Sequence, residues 1–567
     1  MSVIRRFGVP LPMRDGVELS ADIYRPEVDH PVPALIARTP YNKNTAFAFD
    51  KGTWYAEQGF AFVWIDVRGR GDSGGAFAPY RNDGVDGYDA IEWVAAQSWA
   101  SDRVGTWGQS YLGCIQWLAA LERPPHLRAM VVYVTPSDPF VEHPTGTRFL
   151  QEVCWYRMVS GRLNQYVDGI DWMDVYAHRP LLTMDERAGY VSEHWRNDLT
   201  HGPADDEYWG PLNYQDRIGK LDVPALHVTG WYDDVQPGTL RNFEQMTRAD
   251  VGGAARTEQR LVVGPWDHGL TQVRGRHLGA IDFGPDSNFD LNAYEVSFLS
   301  RHLKSQPPVA DAPPVRIFVM GANTWRDEEE WPLARTSWTP YYLSSGGAAN
   351  SKQGDGVLSR GTAPTDTADR DSFIYDPGNP APFITSPTSS QIGGPDDYSI
   401  IEDRDDILVY STVLLENEIE VTGPIRVVLF ASSSAVETDF VARLIDVHPN
   451  GFCQRLSDGL ARSRYREGMR TDLEIEPGSV YQFEIDIWST SQVFLPGHQI
   501  RLEVTSSAYP KYDPNTNTGV PAATATSFVQ ANNVVWHSAE FPSALILPEI
   551  PVRTSTLEQI DAERRTP

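Results

Sequence analysis

Cysteine is scarce in this sequence. Its 567 residues include only three, Cys114, Cys154 and Cys453. So small and odd a set does not indicate a disulfide framework, and it agrees with a reducing compartment. No two of the cysteines have the spacing of metal ligands, so we expect no metal centre.

Long hydrophobic runs are also missing. No stretch approaches the ~20 apolar residues that a membrane-spanning helix needs. The N-terminal segment MSVIRRFGVP has neither the apolar core nor the cleavage signature of a secretory signal. We therefore expect a cytoplasmic protein that does not engage a membrane.

Positive charge is in deficit. The chain has 48 Lys and Arg against 76 Asp and Glu, a formal net charge of −28, and only six of the basic residues are Lys. A surface this acidic repels nucleic acid and anionic lipid, so both are excluded as main partners. A chain of this length is also too long for one core and suggests about three to four domains.

The first part of the chain alternates between strands and helices. Such alternation predicts a parallel sheet covered by helices. Apolar runs predict strands at 17–24, 34–39, 60–66, 104–107 and 127–134, and helical spacing predicts helices at 86–96 and 112–121.

The alternation stops after residue 135. Residues 145–210 are rich in Trp, Tyr, Arg and Asp and have helical periodicity, which predicts an inserted helical cap. The sheet pattern resumes at 224–230 and 260–265, and 294–302 predicts a closing helix. We therefore predict one α/β domain from residues 1–144 and 211–313.

The C-terminal part has a different texture. Short alternating runs separated by turn signals predict an antiparallel β-sandwich over residues 314–567. Residues 346–372, rich in Gly, Ser, Asp and Thr, predict a surface loop. The predicted strands are 315–320, 339–343, 408–412, 425–432, 440–447, 480–487 and 499–506.

The segment GQSYLG, residues 108–113, joins a predicted strand to a predicted helix. A serine on such a turn projects its Oγ into a cleft, beside backbone N–H groups at the helix N-terminus. Ser110 is therefore the candidate nucleophile. The segment departs from G-x-S-x-G, because Leu112 takes the second glycine position and Gly113 follows it. Cys114, expected in the same helix, is predicted to be buried and not catalytic.

A serine nucleophile needs a base and an acid that orients the base. His268 directly follows the apolar run 261–263, and Asp233 directly follows 225–229. The order Ser, Asp, His is that of an α/β-hydrolase, and all three residues would leave parallel strands at one sheet edge. Asp234 is the alternative acid; Asp267 is too close to His268 in sequence to orient it.

A literal motif search selects a different serine. GDSGG, residues 71–75, matches G-x-S-x-G and resembles the serine motif of trypsin-like proteases. Those enzymes place His and Asp before Ser in an all-β framework, whereas only His30 precedes Ser73 here, in α/β surroundings. We therefore interpret this segment as a tight loop after the strand that ends at Asp66.

The oxyanion of the tetrahedral intermediate needs two donors. One is expected from the Tyr111 backbone N–H. The second usually comes from the loop after an early strand, here RTPYNK at 38–43. This loop has no HGGG-type glycine cluster, so the Tyr41 hydroxyl is the candidate, although an ordinary packed tyrosine would look the same.

These segments together resemble the cocaine esterase-like (CocE/NonD) hydrolases, relatives of X-Pro dipeptidyl peptidases. The resemblance runs over nearly the whole chain, with the motifs in the family's order. They are MRDGVEL from residue 13, ADIYRP from 21, TPY from 39, DVRGRG from 66, DGYDAIEW from 86, GQSYLG from 108, GWYD from 230, GPWDH from 264, YDP from 375, TDF from 438, RYR from 464 and GHQIRLEV from 497.

The resemblance implies an α/β-hydrolase domain with an inserted helical cap and a C-terminal jelly roll. It implies Ser110, Asp233 and His268 as the catalytic triad, and the Tyr41 hydroxyl with the Tyr111 amide as the oxyanion hole. It also implies aromatic residues of the cap in the acyl pocket. The expected substrate-binding residues are Trp155, Trp231, Val235 and Trp266.

One departure narrows the expected substrate. The family's α-amino-acid ester hydrolases place acids two and three residues after the catalytic Asp to bind the substrate ammonium. Here Val235 and Gln236 take those positions, which disfavours an α-amino acyl group.

The expected function is a serine carboxylesterase for small to medium acyl esters, working through an acyl-enzyme without a cofactor. The alternatives are an amide hydrolase, of β-lactam acylase or X-Pro dipeptidyl peptidase type, and a binding protein with a vestigial hydrolase site. Family members are often homo-oligomers, so a homodimer or other homo-oligomer fits the sequence, which itself shows no interface.

Overall fold

The computed structural model describes residues 2–137, 147–248, 253–270, 275–304, 313–363, 368–385 and 393–551. The predicted boundary between the α/β domain and the cap, at 144/145, lies outside these ranges. Among the described helices, none is both long and apolar enough to cross a membrane.

The N-terminal part builds one side of a mixed sheet. Its elements are β1 (Val3–Pro12), β2 (Glu18–Pro26), β3 (Val32–Thr39), α1 (Ala46–Glu57), β4 (Ala61–Asp66), α2 (Asp83–Ala95), β5 (Ala100–Gln109), α3 (Tyr111–Leu121) and β6 (Leu127–Tyr133). Strand β4, AFVWID, is buried along its whole length. Burial on both faces is typical of a parallel strand covered by helices, as the sequence predicts.

A helical segment and the rest of the sheet follow. The helices are α4 (Glu152–Met158), α5 (Trp172–Tyr176), α6 (Met184–Arg187), α7 (Glu193–Thr200), α8 (Asp206–Trp209) and α9 (Gln215–Ile218). The next elements are β7 (Ala225–Tyr232), α10 (Gln236–Thr247), β8 (Arg260–Asp267), the short β9 (His277–Leu278) and β10 (Ile281–Asp282), α11 (Leu291–Leu303), β11 (Val315–Val319) and β12 (Thr324–Glu328). The helices α4 to α7 share an apolar cluster around Trp172, Tyr176 and Trp195, whereas Ile218 of α9 packs in the core of the first sheet.

The first sheet has the order β1-β2-β4-β3-β5-β6-β7-β8-β11-β12. Strands β3 to β8 run parallel within it. The carboxyl ends of β5, β7 and β8 therefore meet at one edge, where ligand sites of open α/β sheets form.

The strand predicted at 315–320 does not belong to the sandwich. β11 pairs in parallel with β8, with Val315 opposite Leu261, and β12 then pairs with β11. The run VRIFV predicts a strand, but the hydrophobic pattern of a strand does not specify which sheet it joins. The first sheet therefore extends to Glu328, and the sandwich begins at β13.

The C-terminal part is an all-β sandwich. Its strands are β13 (Ser337–Ser344), β14 (Val357–Arg360), β15 (Arg370–Tyr375), β16 (Leu408–Ser411), β17 (Ile419–Ser433), β18 (Asp439–Val447), β19 (Cys453–Arg462), β20 (Tyr481–Phe494), β21 (Gln499–Thr505), β22 (Ala531–Trp536) and β23 (Ala544–Glu549). Their inward residues form one apolar core that includes Leu429, Phe440 and Leu502.

The predicted loop at 346–372 is only partly a loop. It contains β14, which pairs with β13, and the start of β15, which pairs with β22. The polar and glycine-rich composition hid these short strands, because few of their side chains face the core.

Candidate active site

Ser110 occupies a strained turn between β5 and α3. Its φ of 56° and ψ of −121° lie outside the regions that ordinary L-residues occupy. A Cβ on Gly108 would lie 2.4 Å from Leu112 Cβ, and one on Gly113 would lie 2.6 Å from Thr135 Oγ1. Gly113 therefore supplies the close approach that the strict motif assigns to the preceding position, and Leu112 packs in the core.

Ser110, His268 and Asp233 form a hydrogen-bonded relay. His268 Nε2 lies 3.0 Å from Ser110 Oγ, and His268 Nδ1 lies 2.7 Å from Asp233 Oδ1. Asp233 is 1% exposed and also accepts hydrogen bonds from the Thr229 hydroxyl and the Val235 backbone N–H. These donors fix the carboxylate, and the carboxylate fixes the orientation of the imidazole.

A second carboxylate contacts the same imidazole edge. Asp234 Oδ1 is 3.2 Å from His268 Nδ1. Burial opposes charging of the imidazole, but Asp234 and then Asp233 outweigh it and raise the pKa of His268 to about 9. From the sequence, Asp234 was only the alternative to Asp233 as the acid. In the structure both carboxylates lie next to His268.

The two oxyanion candidates, Tyr41 and Tyr111, line the same cavity as Ser110. The Tyr111 N–H is the first of α3 and has no acceptor within its helix. The Tyr41 hydroxyl accepts a hydrogen bond from Trp155 Nε1 at 3.0 Å, so its own proton is available to the cavity. Burial raises the pKa of Tyr41 to about 12, which keeps the phenol protonated and able to donate.

The relay opens on a cavity of about 500 Å³ between the sheet edge and the cap. Its wall includes Trp155 and Val235, two of the four predicted substrate-binding residues. Cys114 also reaches this wall from α3 and is 6% exposed. The remaining aromatic residues on the wall are Tyr41, Tyr80, Tyr111, Phe149, Tyr156, His194, Tyr208 and Trp209.

The other two predicted substrate-binding residues point elsewhere. Among the described residues that line the cavity, neither Trp231 nor Trp266 is present. Trp231 donates from Nε1 to the Phe318 carbonyl oxygen, and Trp266 is 0% exposed and packs on Trp325. Both predictions are corrected: these side chains build the core beneath β7 and β8.

Ser73 is held as a structural residue. It is 0% exposed, donates to the Asp66 carbonyl oxygen at 2.6 Å and accepts from the Ser20 backbone N–H at 2.8 Å. Its hydroxyl closes the tight loop after β4. The GDSGG segment is therefore a turn and does not open on the cavity.

Two further residues, Gln151 and Arg70, connect the cap to the site. Neither was predicted from the sequence as a site residue. Gln151 Nε2 donates to Asp234 Oδ2 at 2.8 Å. Arg70, fully buried, donates to the Pro40 carbonyl oxygen in the Tyr41 loop and to the Val159 carbonyl oxygen in the cap. Arg70 belongs to the DVRGRG motif, but a local sequence pattern does not predict which carbonyl groups its guanidinium contacts.

The sandwich contains a cluster of side chains of the types that bind metal ions. The possible ligand atoms of Asp446, His448 and His498 lie within 4.8 Å of one another. His498 Nδ1 hydrogen-bonds Asp446 at 2.7 Å, and His448 Nε2 lies 3.0 Å from Gln454 Oε1. These groups satisfy one another, so we assign the cluster a structural role.

Two family models match the chain in order. Residues 15–270 match the X-Pro dipeptidyl-peptidase (S15 family) model, and residues 308–546 match the X-Pro dipeptidyl-peptidase C-terminal non-catalytic domain. The first match contains Ser110, Asp233 and His268. The second contains the whole sandwich except its last strand residues.

Curated relatives and solved structures extend over almost the full chain. The cocaine esterase of Rhodococcus sp. is 37% identical over 580 residues, covering 96% of this chain and 98% of its own. An aminopeptidase from a marine sediment Thaumarchaeota archaeon superposes with a TM-score of 0.86 at 26% identity, covering 97% of each chain. An α-amino acid ester hydrolase gives a TM-score of 0.84 at 26% identity, covering 96% of each chain.

The relay, the order of its residues and the two-domain match agree with one another. The family resemblance seen in the motifs is confirmed, and the vestigial binding protein considered as an alternative is not supported, because every group of the relay is in place. The chain belongs to the cocaine esterase-like (CocE/NonD) family of serine hydrolases.

Proposed function

We propose that this serine carboxylesterase hydrolyses small to medium acyl esters and that Ser110, His268 and Asp233 are its catalytic triad. The observation that carries the proposal is the relay itself, with 3.0 Å from Ser110 Oγ to His268 Nε2 and 2.7 Å from His268 Nδ1 to Asp233 Oδ1. Both distances are within hydrogen-bond reach, as a nucleophile and its base require.

The reaction follows from this geometry. Ser110 Oγ attacks the ester carbonyl carbon while His268 Nε2 takes the hydroxyl proton. The tetrahedral intermediate collapses, and the alcohol leaves with the proton from His268. Water then enters, loses a proton to His268 and attacks the acyl-enzyme, and Ser110 regains its proton as the acid departs. Protein groups and water complete the cycle without a cofactor.

We assign the oxyanion hole to the Tyr41 hydroxyl and the Tyr111 backbone N–H. Support comes from the Trp155 hydrogen bond, which occupies a lone pair of the Tyr41 oxygen and leaves its proton for the substrate. Preorganised donors of this kind contribute the largest single effect in many acyl-transfer enzymes.

The cavity supports an apolar acyl or alcohol group. Its volume of about 500 Å³ lies in the range of small-molecule sites, and aromatic rings dominate its wall. Val235 lines this wall, while Gln236 is 1% exposed and bonded to Ser489 in the sandwich. Neither offers a carboxylate at the two positions compared, so an ammonium group would have to rely on the other acids of the wall, Glu152, Asp198 and Asp234.

Amide hydrolysis remains the second candidate. The S15 family description and the archaeal aminopeptidase neighbour both favour it. An ester and an anilide that share one butyryl group separate the two. A carboxylesterase turns over the ester with a kcat/KM far above that of the anilide, whereas an amide hydrolase cleaves both.

We further propose that the sandwich is a jelly roll and that it acts as a wall of the catalytic domain. The catalytic domain would then comprise the first sheet through Glu328, and the cap would be the segment with α4 to α8, within the predicted residues 145–210. The three cysteines, Cys114, Cys154 and Cys453, are buried and form no disulfide bond, which supports a cytoplasmic location. A homodimer or other homo-oligomer is tested by size-exclusion chromatography with light scattering.

The decisive experiment combines turnover with active-site labelling. Wild type, Ser110→Ala and Ser73→Ala are assayed on p-nitrophenyl esters from acetate to octanoate and labelled with a fluorophosphonate. We expect Ser110→Ala to lose labelling and to fall at least about 10⁴-fold in kcat. Ser73→Ala is the matched control and should label like wild type per folded molecule. Labelling that persists in Ser110→Ala would refute the assignment.

A further inference from the structure

The Nδ1 edge of His268 is unusual in facing two acidic side chains. Asp233 Oδ1 lies 2.7 Å from Nδ1 and Asp234 Oδ1 lies 3.2 Å from it. The relay described above needs only the first of these. The second carboxylate, Asp234, has a side chain that is only 14% exposed, so bulk water does not screen its charge fully.

Asp234 is held in place from the cap. Its Oδ2 accepts a hydrogen bond from Gln151 at 2.8 Å. Its Oδ1 is buried and, within the described residues, accepts no hydrogen bond, which leaves the nearby His268 as its electrostatic partner. A buried carboxylate in this position is costly unless a positive charge forms beside it.

The other charges around this pair come from three elements. Asp267 is the last residue of β8 and directly precedes His268. Arg148 and Glu152 line the cavity on the side of the cap. Behind Asp234 the sandwich contributes Arg455 and Lys511, which are buried and are both bonded to Asp458 at 2.7 Å. Lys511 favours an ionised Asp234, although burial still raises the pKa of this carboxyl group above its ordinary value.

We propose that Asp234 is a positioning residue for His268: with Asp233 it forms a two-carboxylate clamp on the imidazole, and Gln151 anchors that clamp to the cap. This inference rests on the proposed function, because it assigns His268 the role of general base. It differs from the alternative acid considered from the sequence, since both carboxylates act together.

The clamp acts on the charged form of the histidine. When Ser110 transfers its proton, the imidazolium forms between two anions, and the second anion adds stabilisation to the transition state. The same contact stabilises the imidazolium of the free enzyme. At low pH both states carry the charge, so Asp234 changes their difference little. At high pH the imidazole of the free enzyme is neutral and only the transition state contains the imidazolium, so Asp234 accelerates the reaction at high pH.

Helix α4 gives the clamp a link to substrate binding. Gln151 directly precedes α4 and contacts Asp234, while Trp155 within α4 contacts Tyr41. One helix of the cap therefore touches the residue that tunes the base and the residue that donates to the oxyanion. Movement of the cap would change both contacts together.

The test is the pH profile of kcat/KM for Asp234→Asn with p-nitrophenyl butyrate. We expect the midpoint to fall by about one to three pH units, the shift typical of removing a neighbouring opposite charge. The high-pH plateau should drop by up to about tenfold for each unit, while the low-pH limb superimposes on that of wild type. Asp234→Glu should restore the wild-type midpoint.

Asp267→Asn is the matched control, because it removes one carboxylate next to His268 in sequence but outside the clamp. Its midpoint should move less than that of Asp234→Asn. Gln151→Leu should move the midpoint in the same direction as Asp234→Asn, because Asp234 loses its donor. The pH dependence of fluorophosphonate inactivation gives a second measure of His268 that counts only folded sites.

Three outcomes would overturn the inference. A uniform loss of kcat/KM at every pH would mean that Asp234 supports only the fold. A change in KM for cationic esters alone, with an unmoved midpoint, would make Asp234 a substrate ligand. Equal shifts in Asp234→Asn and Asp267→Asn would reduce the effect to general charge. Failure of the proposed function would show separately, as labelling or turnover that survives Ser110→Ala.

Discussion

At the scale of single residues, His268 experiences two opposing effects. Burial favours its neutral form, but Asp234 and Asp233 prevail and raise its pKa to about 9. Only the neutral imidazole can accept the Ser110 proton. A histidine with an ordinary pKa would be neutral at pH 7.5, whereas this one is largely charged there.

The first prediction follows from this charge. Because the base becomes available as pH rises through about 9, kcat/KM of the wild type should increase with pH and level off above 9. The profile is measured with p-nitrophenyl butyrate at constant ionic strength, with the uncatalysed rate subtracted. A plateau already reached at pH 7 would show that the two carboxylates do not prevail in solution.

The second prediction concerns Tyr41. Tyr41→Phe removes one oxyanion donor and leaves the ring, so we expect kcat to fall about 10²–10³-fold with KM changed little. Tyr80→Phe is the matched control, since it removes a hydroxyl from the same cavity and keeps the ring that stacks on Tyr111 and Trp155. Equal losses in the two variants would indicate a general effect of removing a hydroxyl from the cavity and would contradict a specific role of the Tyr41 hydroxyl.

The sequence could predict that Ser110, Asp233 and His268 come together because each of them sits in a short motif directly after a strand. Chain order and parallel strands then bring the three together at one sheet edge. The same reasoning failed for Trp231 and Trp266, because adjacency to a catalytic residue does not fix the face to which a side chain points. The role of Asp234 depends on the turn after β7 and on Gln151, which no local pattern contains.

At the scale of elements, the turn from β5 to α3 depends on Gly108. A Cβ there would meet Leu112 Cβ at 2.4 Å and Leu112 backbone atoms at 3.0 Å. Backbone cannot move aside as a flexible side chain can. The close approach of Gly108 to Leu112 therefore sets the shape of the turn that carries Ser110.

The third prediction is that Gly108→Ala destabilises the protein by about 1–3 kcal/mol or more, as overpacking of a core does. We also expect kcat to fall about 10²-fold, because a small displacement of a nucleophile has effects of that size. Gly202→Ala is the control, since a Cβ there would meet nothing within 4 Å. Thermal unfolding and burst titration measure the two effects separately. Wild-type kcat in Gly108→Ala would contradict the steric argument.

The elements that the sequence missed share one property. β11 was assigned to the wrong sheet, and β14 lay within a predicted loop, because the pattern of a short strand does not specify its pairing partner. Their position comes from pairing with a distant strand. In contrast, the central strands β4 and β7 are buried throughout, and their apolar runs are readable from the sequence alone.

At the scale of the whole molecule, the sandwich contacts the first sheet directly beside Asp233. Gln454 in β19 donates to the Tyr232 hydroxyl, next to Asp233. Val493 of β20 packs with Trp231 and Leu261 in one apolar cluster. The cluster spans both domains, so the sandwich and the first sheet share a core. Sequence periodicity predicted each domain but gave no information on this contact.

Gln236 provides the most specific link between the two domains. Its Oε1 accepts from the Ser489 N–H, and its Nε2 donates to the Ser489 and Trp231 carbonyl oxygens, at 3.0–3.1 Å. The family's α-amino-acid ester hydrolases carry an acid at this position to bind substrate. Here the side chain is 1% exposed and binds the sandwich.

The fourth prediction is therefore that Gln236→Ala destabilises the protein by about 2–4 kcal/mol, because buried Ser489 groups lose their partners. Gln97→Ala, which removes one hydrogen bond at a partly exposed helix end, should change stability by less than about 1 kcal/mol. Urea unfolding followed by tryptophan fluorescence measures both. Because Gln236 follows Asp233 so closely, kcat should fall with stability. An unfolding midpoint equal to that of Gln97→Ala would show that the sandwich is held by its apolar contacts alone.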